Sequence, residues 1–291
     1  MRSVLPALLL TLPAALGAQA NRLPPLRESP AASVSLDIGL TNVKIDYHRP
    51  GVKGREIWGK LVPYGETWRT GANEPSLITF SGDVKVDGMG VPKGTYAFYT
   101  IPGKESWTLI LSKNTKLWGS FGYDPKDDQL RWQVKPELKT TAGTEYMAFF
   151  LVPTSDHSAR TELHWEKLRV AFTIEVDVHG SYRKLVLEKI AAAKPEEPKD
   201  GVLYFQAAQY YFKQNLEPAQ ALAWVTIATK TWESFWPFEL KARLEEKAGK
   251  QAEAIADLEK AIALTKTAKN APPKEYTDNL MKDLAAWKAK K

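Results

Sequence analysis

Between Tyr47 and Glu74 the chain concentrates cationic, aromatic and turn-forming residues at a density foreign to an ordinary loop. The stretch reads Tyr47-His48-Arg49-Pro50, then Gly54-Arg55, Leu61-Val62-Pro63-Tyr64-Gly65, and Trp68-Arg69-Thr70-Gly71-Ala72-Asn73-Glu74. Gly and Pro supply left-handed or fixed backbone geometry, Trp and Tyr supply flat apolar faces, and Arg supplies a planar fork of donors. These are the ingredients of a ligand surface held in a rigid frame, with Tyr47, Arg49, Arg55, Trp68, Arg69, Asn73 and Glu74 as candidate contacts. A small polar ligand, such as a glycan or a cell-envelope fragment, suits that chemistry.

Other chemistries are weaker in this chain. No nucleophile beside a base and no phosphate-binding loop occurs, so no cofactor is implied. His48, His157, His164 and His179 fall in different elements without the spacing of a zinc site, and a structural or surface role is the plainer reading. Asp124, Asp127 and Asp128 miss the calcium-loop spacing and read as a solvated turn. Glu66 and Glu74 are the one carboxylate pair suited to an envelope hydrolase, with Arg69 and Asn73 orienting a carbohydrate-like substrate. A single plausible carboxylate without a matched partner favours binding over catalysis. Arg69 has two readings: it contacts a ligand, or it braces the loop by bonding carbonyls and Glu74, as Arg in Gly-rich loops often does.

The elements that must position these residues alternate on a period of two. Strands are predicted at Val34–Ile38, Val43–His48, Leu77–Ser81, Val84–Val86, Tyr96–Ile101, Trp107–Ser112, Tyr146–Val152, Thr161–Trp165 and Leu168–Val178. Turn chemistry at Asp87-Gly88, Pro92-Lys93-Gly94, Pro102-Gly103 and Ala142-Gly143 separates them. Many short strands with no helix between them predict an antiparallel β-sandwich, jelly-roll-like, over residues 34–179.

The order of these motifs resembles a bacterial family, mostly secreted, known as the domain of unknown function numbered 2911. The residues that carry the resemblance are Tyr47 to Pro50, Gly54-Arg55, Leu61 to Gly65 and above all Trp68 to Glu74. Gly94-Thr95-Tyr96, Ile101-Pro102-Gly103, Trp107 to Asn114, Trp118-Gly119 and Tyr123-Asp124 agree. It covers roughly residues 30–178 and implies a shared fold unit and a shared site, without an activity.

After Gly180 the apolar spacing becomes helical and Ala becomes frequent. Phe205, Ala221, Val225 and Ala228 superpose on Phe238, Ala254, Leu258 and Ala261 at an offset of 33, with turns at Asn215 and Gly249. That resembles tetratricopeptide repeats over residues 181–291, capped by helices near Tyr182–Ala193 and Lys274–Lys288, a module suited to docking a protein partner. Phe235, Trp232 and Trp236 read as core between hairpins.

Residues 1–20 read as an export signal, with Arg2, an apolar run from Val4 to Leu16 and a small-residue cleavage site at Ala18-Gln19-Ala20; residues 21–33 read as a Pro-rich linker. The run is too short for a permanent membrane anchor, and a chain without Cys has no residue for a lipid tether, so a soluble periplasmic or extracellular protein is expected. The formal charge of +6 comes from 40 basic residues scattered among 34 acidic ones, which leaves no stripe for nucleic acid.

Overall fold

The computed structural model of the protein describes residues 26–138 and 143–290. The signal segment, its cleavage site and Ala142 lie outside the described residues. The chain divides into two compact units between Val176 and Asp177.

Among the described residues the first unit holds twelve strands: β1 (Ala31–Ile38), β2 (Thr41–His48), β3 (Ser76–Phe80), β4 (Val84–Val86), β5 (Met89–Val91), β6 (Gly94–Ile101), β7 (Trp107–Ser112), β8 (Asp128–Val134), β9 (Glu137–Leu138), β10 (Thr144–Ser155), β11 (Ser158–Glu166) and β12 (Leu168–Glu175). They form an antiparallel β-sandwich. One sheet runs β1-β2-β3-β6-β7-β8, and the other runs β10-β11-β12-β4-β5 with β9 also paired to β12. The β4–β5 hairpin thus leaves its sequence neighbours and joins the second sheet, turning through Asp87 (φ 45°) and Gly88 (φ 81°). Asp87 ties the layers together, because its carboxylate accepts from the Trp132 indole at 3.0 Å and from the Thr173 amide at 2.7 Å.

Alternation explains the inner faces. In β2, Thr41, Val43, Ile45 and Tyr47 are buried while Asn42, Lys44, Asp46 and His48 are not. Aromatic rings then meet between the sheets: Tyr47 on Phe149 (4.9 Å), Phe98 on Phe172 (5.7 Å) and Trp132 on Phe172 (5.4 Å). Removal of such side chains from water drives this packing, at about 1.5–3 kcal/mol for a fully buried one. β6 departs from alternation, with Tyr96 to Thr100 all buried. Phe98 faces the second sheet, whereas Ala97, Tyr99 and Ile110 of the opposite face are covered by Leu117 and Tyr123.

Several boundaries differ from the sequence reading. β1 begins at Ala31, inside the stretch read as linker, and β12 ends at Glu175, because Asp177 caps a helix through a bond from the Gly180 amide. Asp128 is no solvated turn residue. It opens β8, and its carboxylate holds the Tyr123 hydroxyl at 2.8 Å and Arg131 at 3.1 Å. Asp124 and Asp127 do belong to a turn, in which Asp124 accepts from the Lys126 amide.

Among its described residues the second unit has six α-helices: α1 (Val178–Ala192), α2 (Gly201–Lys213), α3 (Pro218–Thr231), α4 (Phe235–Lys247), α5 (Gln251–Thr267) and α6 (Lys274–Ala289). Ala221, Val225 and Ala228 of α3 and Ala254, Leu258 and Ala261 of α5 are all fully buried, so the offset of 33 matches burial in the second helices. The first helices and turns match at 34 instead: Gly201 to Lys213 lines up with Phe235 to Lys247, and Asn215 (φ 53°) with Gly249 (φ 74°). Phe205 therefore corresponds to Glu239 rather than Phe238. Phe235 is buried and Trp232 packs on Phe205 at 5.4 Å, but Trp236 is 41% exposed and is not core. Among the described residues no helix is long and apolar enough to cross a membrane.

Candidate functional site

The Trp68–Glu74 string is pinned by two strands. Trp68 exchanges backbone bonds with Thr100 of β6 at 2.8 and 2.9 Å, and Ser76 of β3 donates its amide to the Arg69 carbonyl and its hydroxyl to the Thr70 carbonyl. Thr70 is fully buried at φ 52°, a conformation that costs a β-branched residue about 1–3 kcal/mol. Its hydroxyl lies 3.1 Å from that of Thr100. Asn73 also takes a left-handed conformation, φ 60°. At Gly71 a side chain is crowded, since a Cβ would stand 3.1 Å from Ser76 Oγ and 3.2 Å from the His48 carbonyl and the neighbours would have to yield.

Beneath the string sit four indoles. Trp68 stacks on Trp165 of β11 at 5.6 Å and 20°, while Trp58 and Trp107 meet each other edge-on at 4.9 Å and approach that pair edge-on at 5.6–6.4 Å. The Trp68 indole donates to the Gly71 carbonyl at 3.2 Å, closing the loop on itself.

The candidate contacts separate by what they already bond. Tyr47 is buried, and its hydroxyl accepts from the Phe149 amide at 3.2 Å. Arg49 spans the sandwich, donating to the carbonyls of Met147 (2.8 Å) and Tyr146 (3.4 Å). Arg55 folds back on the carbonyls of Val52 (3.1 Å) and Gly51 (2.6 Å). These three hold the frame. Arg69 differs: its guanidinium has no hydrogen-bonding partner among the described residues, and its Nε is buried. Burial lowers its pKa, although a guanidinium stays charged at any physiological pH. The internal brace to Glu74 is therefore absent.

Glu74 is taken by a residue the sequence reading placed in the linker. Arg27 grips its carboxylate bidentately at 2.5 and 2.7 Å, and His48 Nδ1 lies 3.6 Å away. The bond to Arg27 is the first cause of a lowered Glu74 pKa, with burial opposing it. A general acid needs the opposite shift, and a carboxylate made less basic is a poor base. Burial lowers the His48 pKa, against the pull of Glu74. Glu66 is exposed. No signal in the Pro-rich stretch pointed to Arg27 beyond its charge.

Arg55, Trp68, Arg69 and Asn73 come together on a cavity of about 320 Å³, which Lys53, Glu28 and Trp165 also line. Tyr47, Arg49 and Glu74 are not among its lining residues. The buried polar atoms left without partners around the string are Arg69 Nε, Asn73 Nδ2 and the indole nitrogens of Trp58, Trp107 and Trp165. All five are N–H donors without an acceptor, and the one carboxylate among the lining residues, Glu28, is paired with Lys53. Among the described residues no group of three His, Cys, Asp or Glu side chains is placed to hold a metal ion.

No curated protein and no solved structure matches the chain. The family described as Protein of unknown function (DUF2911) matches residues 29–174, which is half of the chain and runs from just before β1 into β12. The chain belongs to the DUF2911 family of proteins of unknown function.

Proposed function

We propose that the β-sandwich of this protein is a binding module for a small, acceptor-rich anionic ligand, held by Arg69 and Asn73 at the cavity beside the Trp68–Glu74 string. The observation that carries this reading is the Arg69 guanidinium, which is charged, partly buried and without an acceptor, on a loop whose backbone is bonded to β3 and β6. A buried donor left unmade costs about 1–3 kcal/mol, and a carboxylate would satisfy it with a charge-assisted pair. The strained Thr70 supports the same reading, since strain of this kind persists where surrounding structure over-determines the backbone and clusters at ligand sites. Binding without catalysis agrees with Glu74 being committed to Arg27.

The helical unit docks a protein partner in this reading, through the cleft of about 220 Å³ where Phe205, Phe212, Trp236 and Tyr276 present rings beside Arg243. Export through the segment before Asn21 places the protein in the periplasm or outside the cell. The test is a thermal-shift screen of the full chain against carboxylates, sugars and peptidoglycan fragments. A ligand at a hundredfold excess over its Kd stabilises the folded state by about 2.7 kcal/mol. The reading expects anionic ligands to raise the midpoint of the wild type clearly more than that of Arg69→Lys. Equal shifts in both proteins would refute it.

A further inference from the structure

We propose that the ligand of Arg69 is an acidic sugar, whose ring stacks on the exposed rings of Trp118 and Phe121, outside the lining of the cavity, while its carboxylate meets Arg69. The proposal rests on the binding role argued above and adds the ligand class and two residues outside the string.

Trp118 is 58% exposed and Phe121 79% exposed, the latter on a loop that is otherwise well anchored. Leu117 and Tyr123 of the same loop pack on the buried Ala97, Tyr99 and Ile110. The Tyr99 hydroxyl donates to the Gly119 carbonyl at 3.4 Å, and the Tyr123 hydroxyl donates to Asp128. Gly119 (φ 66°) and Gly122 (φ 78°) turn the chain so that the two rings stay outside. A fixed loop that holds two large rings in water points to a surface for recognition.

The position of the loop says what is recognised. A Cβ built on Gly119 would lie 3.4 Å from the Phe121 ring and 4.0 Å from Arg69 Cδ, so Phe121 and Arg69 flank the same glycine. Arg27 lies over the Trp118 ring at 5.8 Å and grips Glu74 with its fork. Phe121 thus flanks a cation without an acceptor, and Trp118 flanks a carboxylate–guanidinium pair. A sugar ring matches all of these, because its C–H face lies on an aromatic ring and its hydroxyls both donate and accept. Its carboxylate supplies the acceptor that Arg69 and Asn73 lack. A flat aromatic acid would use the rings and Arg69 but has no hydroxyls for Glu74 and Arg27.

The experiment is titration calorimetry of the full chain with trigalacturonate, its methyl ester, acetate and benzoate, repeated on Trp118→Ala, Trp118→Phe and Arg69→Lys. The expected order is trigalacturonate tightest, with the ester at least tenfold weaker because its charge is gone. Trp118→Ala should weaken trigalacturonate about tenfold, within what an aromatic contact contributes, and leave acetate unchanged. Trp118→Phe should recover most of the loss, and Arg69→Lys should weaken every anion. If benzoate or acetate binds as tightly as trigalacturonate and Trp118→Ala changes nothing, the aromatic platform is refuted while the anion site stands. If no anion binds the wild type, both this proposal and the binding role beneath it fall.

Discussion

Replacing Arg69 by Lys separates a ligand contact from a structural support, and Arg49 provides the internal standard. The Arg69 guanidinium holds no carbonyl and no carboxylate, so shortening its fork orphans nothing. What is lost is stem packing, and Lys retains most of that stem; the expected cost is at most about 1 kcal/mol. Arg49 donates to two carbonyls of β10, and Arg49→Lys leaves at least one of them without its donor. An unsatisfied buried group costs about 1–3 kcal/mol, so this variant should lose roughly two to three times as much. Binding should behave in reverse, with Arg69→Lys weakening an anionic ligand by about tenfold or more, since a hydrogen bond to a charged group is worth about 1.5–3 kcal/mol. Amide hydrogen exchange read peptide by peptide is the assay, because it reports the opening free energy of the β unit apart from that of the helices. A loss above about 2 kcal/mol in Arg69→Lys, or one equal to that of Arg49→Lys, would show that the guanidinium supports the fold and would refute the reasoning.

Four further outcomes are expected. Gly71→Ala places a methyl against Ser76 Oγ and the His48 carbonyl and should cost about 1–3 kcal/mol by denaturant melt, whereas Gly65→Ala meets no atoms and should suffer only its backbone strain. In the helical unit, burial raises the Glu245 pKa beside Lys241 (3.0 Å) and Asp257. The folded state therefore keeps a proton that the unfolded state has released between the ordinary carboxylate range and the raised value, and stability falls as pH rises through that window; Glu245→Gln should raise the melting midpoint at neutral pH and flatten this dependence. A fragment of residues 26–176 should give dispersed, single-state nuclear magnetic resonance spectra, and an aggregated or molten product would count against separable units. Mass spectrometry of the native protein should find its N-terminus at Gln19 or Asn21, and an intact Met1 on cytosolic protein would overturn export.

The sandwich was legible because most of its strands are half-buried and alternate, β2 most cleanly. β8 was missed because Asp128, Arg131 and Gln133 break the apolar rhythm: Arg131 and Gln133 face outward, and Asp128 is half-buried only because Tyr123 and Arg131 bond its carboxylate. β6 shows a different limit: its continuous apolar run reflects a covering loop that no local pattern announces. In the helices, small residues such as Ala221 and Ala254 marked the packing face, yet the one-residue slip between α2 and α4 was hidden by Phe205 and Phe238, which look alike and occupy different environments. For the site, residue type located the Trp68–Glu74 string but could not rank its members. Arg49, Arg55 and Arg69 are chemically identical in sequence, and only the carbonyls each one meets distinguish support from availability.

The four indoles under the string also give this protein an optical handle. Rings 4.9–6.4 Å apart couple their excited states, so their near-ultraviolet circular dichroism depends on mutual angle and distance and not on each ring alone. The stacked pair, Trp68 and Trp165, also lines the cavity. Occupancy that shifts the string by a fraction of an ångström would change that coupled signal with no label attached. The molecule thus carries its own chromophore at the place where a ligand is expected, and a library of candidate compounds can be screened by spectrum alone.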